Sequence, residues 1–565
     1  MEGLDRRTFL LGTVRVAAGV LVLGACGGDD NGSRPEGQTD GQTGELPPAA
    51  RPTLRLPGGD QGFPSPFAYQ RGPGLIKSSF IYDTLVWKDS TGEILPWLAS
   101  RWDRSPDAKT YTFHLRDDIR WHDGRPLTAR DVAFTFEYFR NQTIPPQVIV
   151  KPLPQIEEVR ATGDHTVEFR LSSPLATFFG FNGVGSVLIV PEHVWSGVGD
   201  AATATDPALL VGSGPFRLES YNRGDGSYLY SANDDYFLGR PFVSRLEYRP
   251  VGDELAAVAA GELQLAGASG VRPEVLAPFR NNRELEVLQG PPGNSGTGLW
   301  WNLAKGGALA DARFRKACAH AINREDLVQR LHGGNADPGN PGWIPHPHPF
   351  HVDVEQYRFD QAQANRLLDE AGYSRPSPDG VRQGPDGQPL RFSLLVTSPP
   401  PPLTDLVVNA LKAVGVELTP EALDTPAFNR RVTTGGSEMS IIGFGGMNTD
   451  HAGDYLRQIY SSKTQAVQHA QGYVNPEVDR LCNEQLTAVD ESRRKEIVGQ
   501  IQRMIADDLP LLPLVYPHSF SIFSKSGFDQ WYYTEGGVAG TVPTVENKHV
   551  FITGKKTGLE IRPTR

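Results

Sequence analysis

Residues able to do chemistry are few and widely spaced in this chain of 565 residues. The densest grouping is His346-Pro347-His348-Pro349-Phe350-His351. Neutral imidazoles are common metal ligands, and the prolines favour an extended loop in which His346 and His348 point the same way and could converge. No cysteine or carboxylate lies among them, Asp353 being the nearest acid, so a surface loop is the plainer reading. A second reactive group is Cys26, placed directly after Leu23-Gly24-Ala25. A thiol behind small residues suits thioether lipidation, and two acyl chains suffice for stable anchoring. Cys318 and Cys482 fall on apolar helical faces, which fits buried thiols better than a disulfide or a metal pair. The sequence has no Gly-x-Ser-x-Gly, His-Glu-x-x-His, phosphate loop or Cys-x-x-Cys. An enzyme, such as a secreted hydrolase, would have to assemble its groups from distant positions.

The segments around Cys26 explain how it would be used. Arg6-Arg7-Thr8-Phe9-Leu10 is a twin-arginine pattern followed by a mostly apolar stretch to Leu23, interrupted by Arg15. A charged start, a short apolar run and small residues before a cut read as an export signal over residues 1–25, not as a membrane span. Leu23-Gly24-Ala25-Cys26 resembles the bacterial lipobox. Residues 27–50 carry no aromatic and almost nothing to bury, which predicts a disordered tether with a reach of roughly 25–30 Å. The expected location is the outer face of the bacterial cytoplasmic membrane, on the periplasmic or extracellular side.

The remainder is globular in composition, 39% hydrophobic and 9% aromatic, and too long for one core, so at least two lobes are expected. With 55 basic against 66 acidic residues, the net charge of −11 disfavours nucleic-acid binding. Strand and helix patterns alternate without a fixed repeat, which makes the chain α/β. Tyr111–Arg116 alternates apolar with polar as a half-buried strand does. Thr128, with Asp131 three residues on, predicts a capped helix over Ala129–Arg140. Asp311, Asn323, Asp360, Asn475-Pro476 and Asp490 mark further helix starts, and Gly333-Gly334 and Gly372 mark stops.

Several blocks, taken in order, resemble the family 5 bacterial extracellular solute-binding proteins, the peptide- and nickel-binding group. They are Ile81-Tyr82-Asp83-Thr84-Leu85, Leu95–Ala99, Tyr111–Phe136 with its Trp121-His122-Asp123-Gly124, and Gly212–Phe216. Asn233–Pro241, Gly261-Glu262, Arg313–Ala317, Ala321–Arg324 and Tyr473–Asp479 follow. The resemblance spans about residues 52 to 525. It implies a two-lobed, periplasmic-binding-protein-like fold (type II, hinge-closing) with an enlarged first lobe. Lobe I would take residues 51–290 and 512–565, and lobe II residues 291–511, with hinges near Gly290–Gly293 and Pro510–Pro513. Such a protein closes over a small solute and presents it to ABC permease subunits, as a monomer and without a cofactor. A solute sensor is the alternative within the same fold.

The resemblance also suggests where solute would be held. Phe67 and Tyr69 lie in an opening loop that reaches the cleft rim in relatives. Trp300, Trp301 and Asn302 follow the first hinge. Peptide binders of the family carry Trp-x-x-Asp-Tyr, whose carboxylate takes the peptide's ammonium. Here the stretch reads Gly445-Gly446-Met447-Asn448-Thr449, so Asn448 stands where the acid would be, and Asp450 is two residues on. A neutral amide cannot neutralise a buried ammonium. Phe444, Met447, Asn448 and Asp450 are the candidates on this loop.

Overall fold

Local signals in the sequence translate directly into elements. The Thr110–Leu115 strand alternates half-buried with buried positions. Thr128 caps the helix Ala129–Asn141, and its N–H donates to the Asp131 carboxylate at 2.8 Å. Side chains of Asp311, Asn323, Asp360, Asn475 and Asp490 each accept a backbone N–H at the start of a helix. The computed structural model describes residues 51–526 and 528, apart from 89–93, 146–147, 149, 181, 291–294, 374–379, 446–451 and 465–468. Cys26, the expected leader over residues 1–25 and the expected tether over 27–50 lie outside the described residues.

These elements assemble into separate sheets. Ala99–Arg104, Thr110–Leu115, Thr166–Leu171 and Ile156–Gly163 form an antiparallel sheet in that spatial order. Thr53–Pro57 pairs in parallel with Arg245–Arg249, which continues antiparallel to Ser227–Ala232 and Phe216–Asn222. Leu265–Ser269 and Leu285–Gln289 flank Ser519–Ser524. The largest sheet has six strands, in the order Ala336–Pro338, Leu511–Pro517, Ser295–Trp301, Met439–Gly445, Arg391–Thr397 and Glu417–Leu423.

Apolar burial divides along the same lines. Two cores draw on residues 54–285 together with Phe520, Ile522, Phe523 and Phe528. Two more draw on residues 299–516 and cover opposite faces of the six-stranded sheet, one taking Leu299 and Trp301, the other Trp300 and Phe444. Side chains alternate along a strand, so the adjacent tryptophans separate. Cys318 and Cys482 are both buried in these cores, and burial pushes the Cys482 thiol up to about 12.

Five of the sequence blocks meet around one buried carboxylate. Asp83 Oδ1 accepts the Trp97 indole N–H at 2.9 Å and the Tyr236 hydroxyl at 3.1 Å, and its Oδ2 accepts the Ser213 hydroxyl at 3.1 Å. His122 closes the arrangement. Its Nε2–H donates to Gly214 O at 2.9 Å, and its Nδ1 accepts Gly212 N–H at 3.3 Å. Asn233 donates to Gly214 O and accepts from Arg217. Gly212 has to be glycine, because a Cβ there would fall 1.9 Å from Ile81 O. These blocks hold the core together.

The His122 environment predicts a pH dependence. Burial is the main cause that lowers its pKa from 6.5 to about 4. An unfolded chain takes up this proton near 6.5, and the folded one only near 4, so the unfolded state binds more protons in between. Stability should therefore fall as pH drops from 6.5 to 4, by up to ~3 kcal/mol from this residue. Urea unfolding at pH 7, 5.5 and 4.5 measures it. His122→Gln should flatten that branch, and an unchanged slope would contradict the assignment.

Candidate functional site

The ends of the six-stranded sheet place the connections between the two groups of cores. Ser295 pairs with Gly445, and Thr297 with Val515. The start of one strand, directly after residues 291–294, therefore lies beside the end of Met439–Gly445 and the end of Leu511–Pro517. From Pro517 the chain enters Ser519–Ser524, which belongs to the other group. Both crossings and the exit of the chain at Gly445 thus share one edge. Tyr455 donates its hydroxyl to Gly445 O at 2.7 Å and fixes where that exit begins. Met447, Asn448 and Asp450 lie outside the described residues.

An aromatic nest backs this edge. Phe444 is buried, with ring centroids 4.2 Å from Trp343, 5.8 Å from Tyr516 and 6.1 Å from Trp300. The Tyr516 hydroxyl donates to Trp343 O at 2.6 Å. Trp343 holds a left-handed backbone, φ 73°, which is uncommon for so bulky a residue. Trp343 and Tyr516 were not legible as site residues. The only hint was a tryptophan between Pro341 and Pro345, whose fixed dihedrals constrain the turn.

Other expectations are corrected by burial. Phe67 is fully buried, packed on Phe139 at 4.5 Å, Trp195 at 4.9 Å and Tyr138 at 5.3 Å. Tyr69 is buried as well, and its hydroxyl accepts Val150 N–H at 2.9 Å. Neither stands at a rim: aromatics in a loop rich in Pro and Gly went inward because a core was there to receive them. Trp301 is also core. Asn302 is used structurally, donating to Gly435 O and Ser437 O and accepting Ala304 N–H. Trp300, Trp301 and Asn302 line a cavity of about 10 Å³ with Ser440 and Gln471, room for about one water molecule and far below the volume of a solute site.

The surface-loop reading of the histidine run agrees with its burial, His346 being exposed and His348 and His351 part-buried. His346 packs on His351, with centroids 5.7 Å apart, while His348 Nδ1 accepts Phe350 N–H. His351 Nδ1–H donates to Ile344 O at 2.7 Å. Among the described residues no three His, Cys, Asp or Glu side chains gather to hold a metal. His193–Asp123 and His114–Asp103 are imidazole–carboxylate contacts near the surface, and among the described residues no hydroxyl or thiol is bonded to either imidazole. No helix among the described residues is long and apolar enough to cross a membrane.

Separate α/β units whose connecting strands cross at one edge fit the two-lobed architecture of solute-binding proteins. The model of bacterial extracellular solute-binding proteins, family 5, matches residues 93–466, and the chain belongs to that family. An ABC transporter peptide-binding protein of Brucella ovis is 30% identical over 393 residues, covering 66% of this chain and 68% of that protein. The dipeptide-binding protein of Escherichia coli is 26% identical over 492 residues, covering 83% and 89%. Among solved structures, NikA of Brucella suis in complex with Fe(III)-EDTA superposes with a TM-score of 0.75 at 21% identity, covering 88% of this chain and 99% of that one. An oligopeptide-binding protein of Thermotoga maritima gives 0.73 at 24% identity, covering 89% and 98%. The fold is accordingly two-lobed and of type II. The chain is a substrate-binding component of an ABC importer and not an enzyme.

Proposed function

We propose that this protein, exported by its twin-arginine leader and anchored through lipidated Cys26, captures a peptide-like solute between its lobes as a monomer. It then delivers the solute to permease subunits. The observation that carries the reading is the shared edge at which both crossings and the exit at Gly445 meet. A solute lying there touches both lobes, and only a ligand that binds the closed form better can shift the equilibrium toward it. We place the lobes at 51–290 with the chain after Pro517, and at 291–517. The return crossing is put slightly later than the sequence suggested, because Leu511–Pro517 pairs within the six-stranded sheet. The peptide-like class is favoured by the names of the Brucella and Escherichia relatives.

With Asn448 where peptide binders carry an acid, the peptide ammonium is not the main handle. Mass spectrometry of small molecules released from the gently denatured protein identifies the solute class, and calorimetry with free and N-acetylated forms of a recovered peptide tests the handle. Acetylation is expected to weaken binding less than ~10-fold, whereas losing one partner of a buried ion pair costs roughly 100-fold or more. A loss on that larger scale would show that a carboxylate, Asp450 being the nearest, has taken the acid's place. Recovery of no peptide-like compound would sink the class. Labelled fatty acid should appear on the parent and not on Cys26→Ser.

A further inference from the structure

The two groups of cores also touch beside the crossing strands. His332 Nδ1 lies 2.6 Å from Gly270 O, and a carbonyl only accepts, so Nδ1 carries the proton. Asn335 Nδ2 donates to Val271 O at 2.7 Å. In the other direction, the Arg272 guanidinium donates to Arg330 O at 3.0 Å and Gln329 O at 3.4 Å. The crossing segment is stitched to both sides: Gly270 N–H donates to His518 O at 2.8 Å, and His518 N–H to Asn335 O at 3.0 Å. His332 ends a π-helical turn, Val328–His332, a form frequent at functional positions. Gly270 has φ +59°, and a Cβ there would fall 2.7 Å from His332 Nδ1. The contact is built for close approach.

Elsewhere, Ala176 N–H donates to Leu486 O at 2.8 Å, joining the segment after Leu171 to the end of the helix Pro476–Thr487. Neither residue belongs to the elements just described.

We propose that Gly270–Arg272 and Gln329–Asn335 form a noncovalent pivot for lobe closure, with the Ala176–Leu486 bond as the latch that closure makes and opening breaks. This rests on the solute-binding reading above and adds which residues carry the motion. Bonds beside the crossings move least during a rotation about them. All four side-chain bonds of the pivot end on main-chain carbonyls, whose acceptor geometry tolerates changes of angle.

The latch supplies the readout. A main-chain hydrogen bond sets the two backbones at roughly strand spacing, ~5 Å, which a disulfide spans. Full-length protein carrying Cys26→Ser with Ala176→Cys and Leu486→Cys is oxidised with copper–phenanthroline, with and without a random tripeptide mixture. Trapping is expected in this parent. His332→Ala and Gly270→Ala should slow it at least ~10-fold, because lobes no longer held beside the crossings bring positions 176 and 486 into trapping geometry less often. His332→Asn, whose amide nitrogen replaces Nδ1, should restore the parent rate. If His332→Ala traps at the parent rate while its thermal unfolding is unchanged, the pivot is wrong. A parent that neither traps nor changes its small-angle scattering with the mixture would instead overturn lobe closure, and the solute-binding reading with it.

Discussion

Asp83→Ala should lower the unfolding free energy by roughly 4 kcal/mol, because three buried donors lose their acceptor at once. Trp97, Tyr236 and Ser213 all bond this carboxylate, and Asp83 itself is wholly buried. Water cannot take the place of the missing oxygens without opening the core. Asp83→Asn keeps the shape and the oxygen that Trp97 and Tyr236 share, and its amide obliges the Ser213 hydroxyl to turn and accept, so about half the loss, ~2 kcal/mol, is expected from the weaker uncharged bonds. Native proteins hold only about 5–15 kcal/mol in reserve, so the alanine variant should express poorly at 37 °C. Urea unfolding followed by tryptophan fluorescence gives both values. If each variant lies within about 1 kcal/mol of the parent, the carboxylate is not the organising centre of its core.

Arg315→Met should remove roughly 3 kcal/mol from the other half of the molecule. Arg315 is buried, yet among the described residues no carboxylate pairs with its guanidinium. Instead it donates to Leu309 O at 2.9 Å, Asp508 O at 2.6 Å and Leu509 O at 2.8 Å. The last two carbonyls end the long helix Glu491–Asp508, and Leu509 takes the left-handed conformation there, φ 44°. Methionine fills much of the volume but leaves those carbonyls without their donor. Arg315→Lys should recover less than half of the loss, since an ammonium lacks the planar fork that reaches three acceptors. Asp83 and Arg315 serve different cores, so each variant should depress one calorimetric transition more than the other. Equal depression of a single transition would show that the lobes unfold as one unit.

The two keystones also explain what the motif blocks are for. Asp83, Trp97, His122, Ser213, Asn233 and Tyr236 come from five blocks and meet in one core. Arg315 comes from a sixth. Arg324, from a seventh, likewise bonds carbonyls, those of Gly339, Gln356 and Tyr357. The residues that carry the resemblance are therefore scaffold. The strand Met439–Gly445, which directly precedes the stretch where the sequence departs from peptide binders, ends beside both crossings, so the resemblance identifies the class more readily than the cargo.

Local order was legible in the chain. Side-chain caps at Asp311, Asn323, Asp360, Asn475 and Asp490, the alternation over Thr110–Leu115 and the buried helical cysteines all depend on neighbours within a turn or a strand. Such signals survive in one dimension. The ordered blocks likewise determined the family and its two-lobed fold.

Only the tertiary structure decided which aromatics are lining and which are filling. Phe67 met Trp195 and Phe139, Tyr69 met Val150, and Trp300 and Trp301 parted to opposite faces of one sheet. It likewise turned His346 toward His351 and set His332 against Gly270. Burial and partnership are set by what distant segments bring to a point in space, and an apolar ring goes wherever that packing removes most of its surface from water.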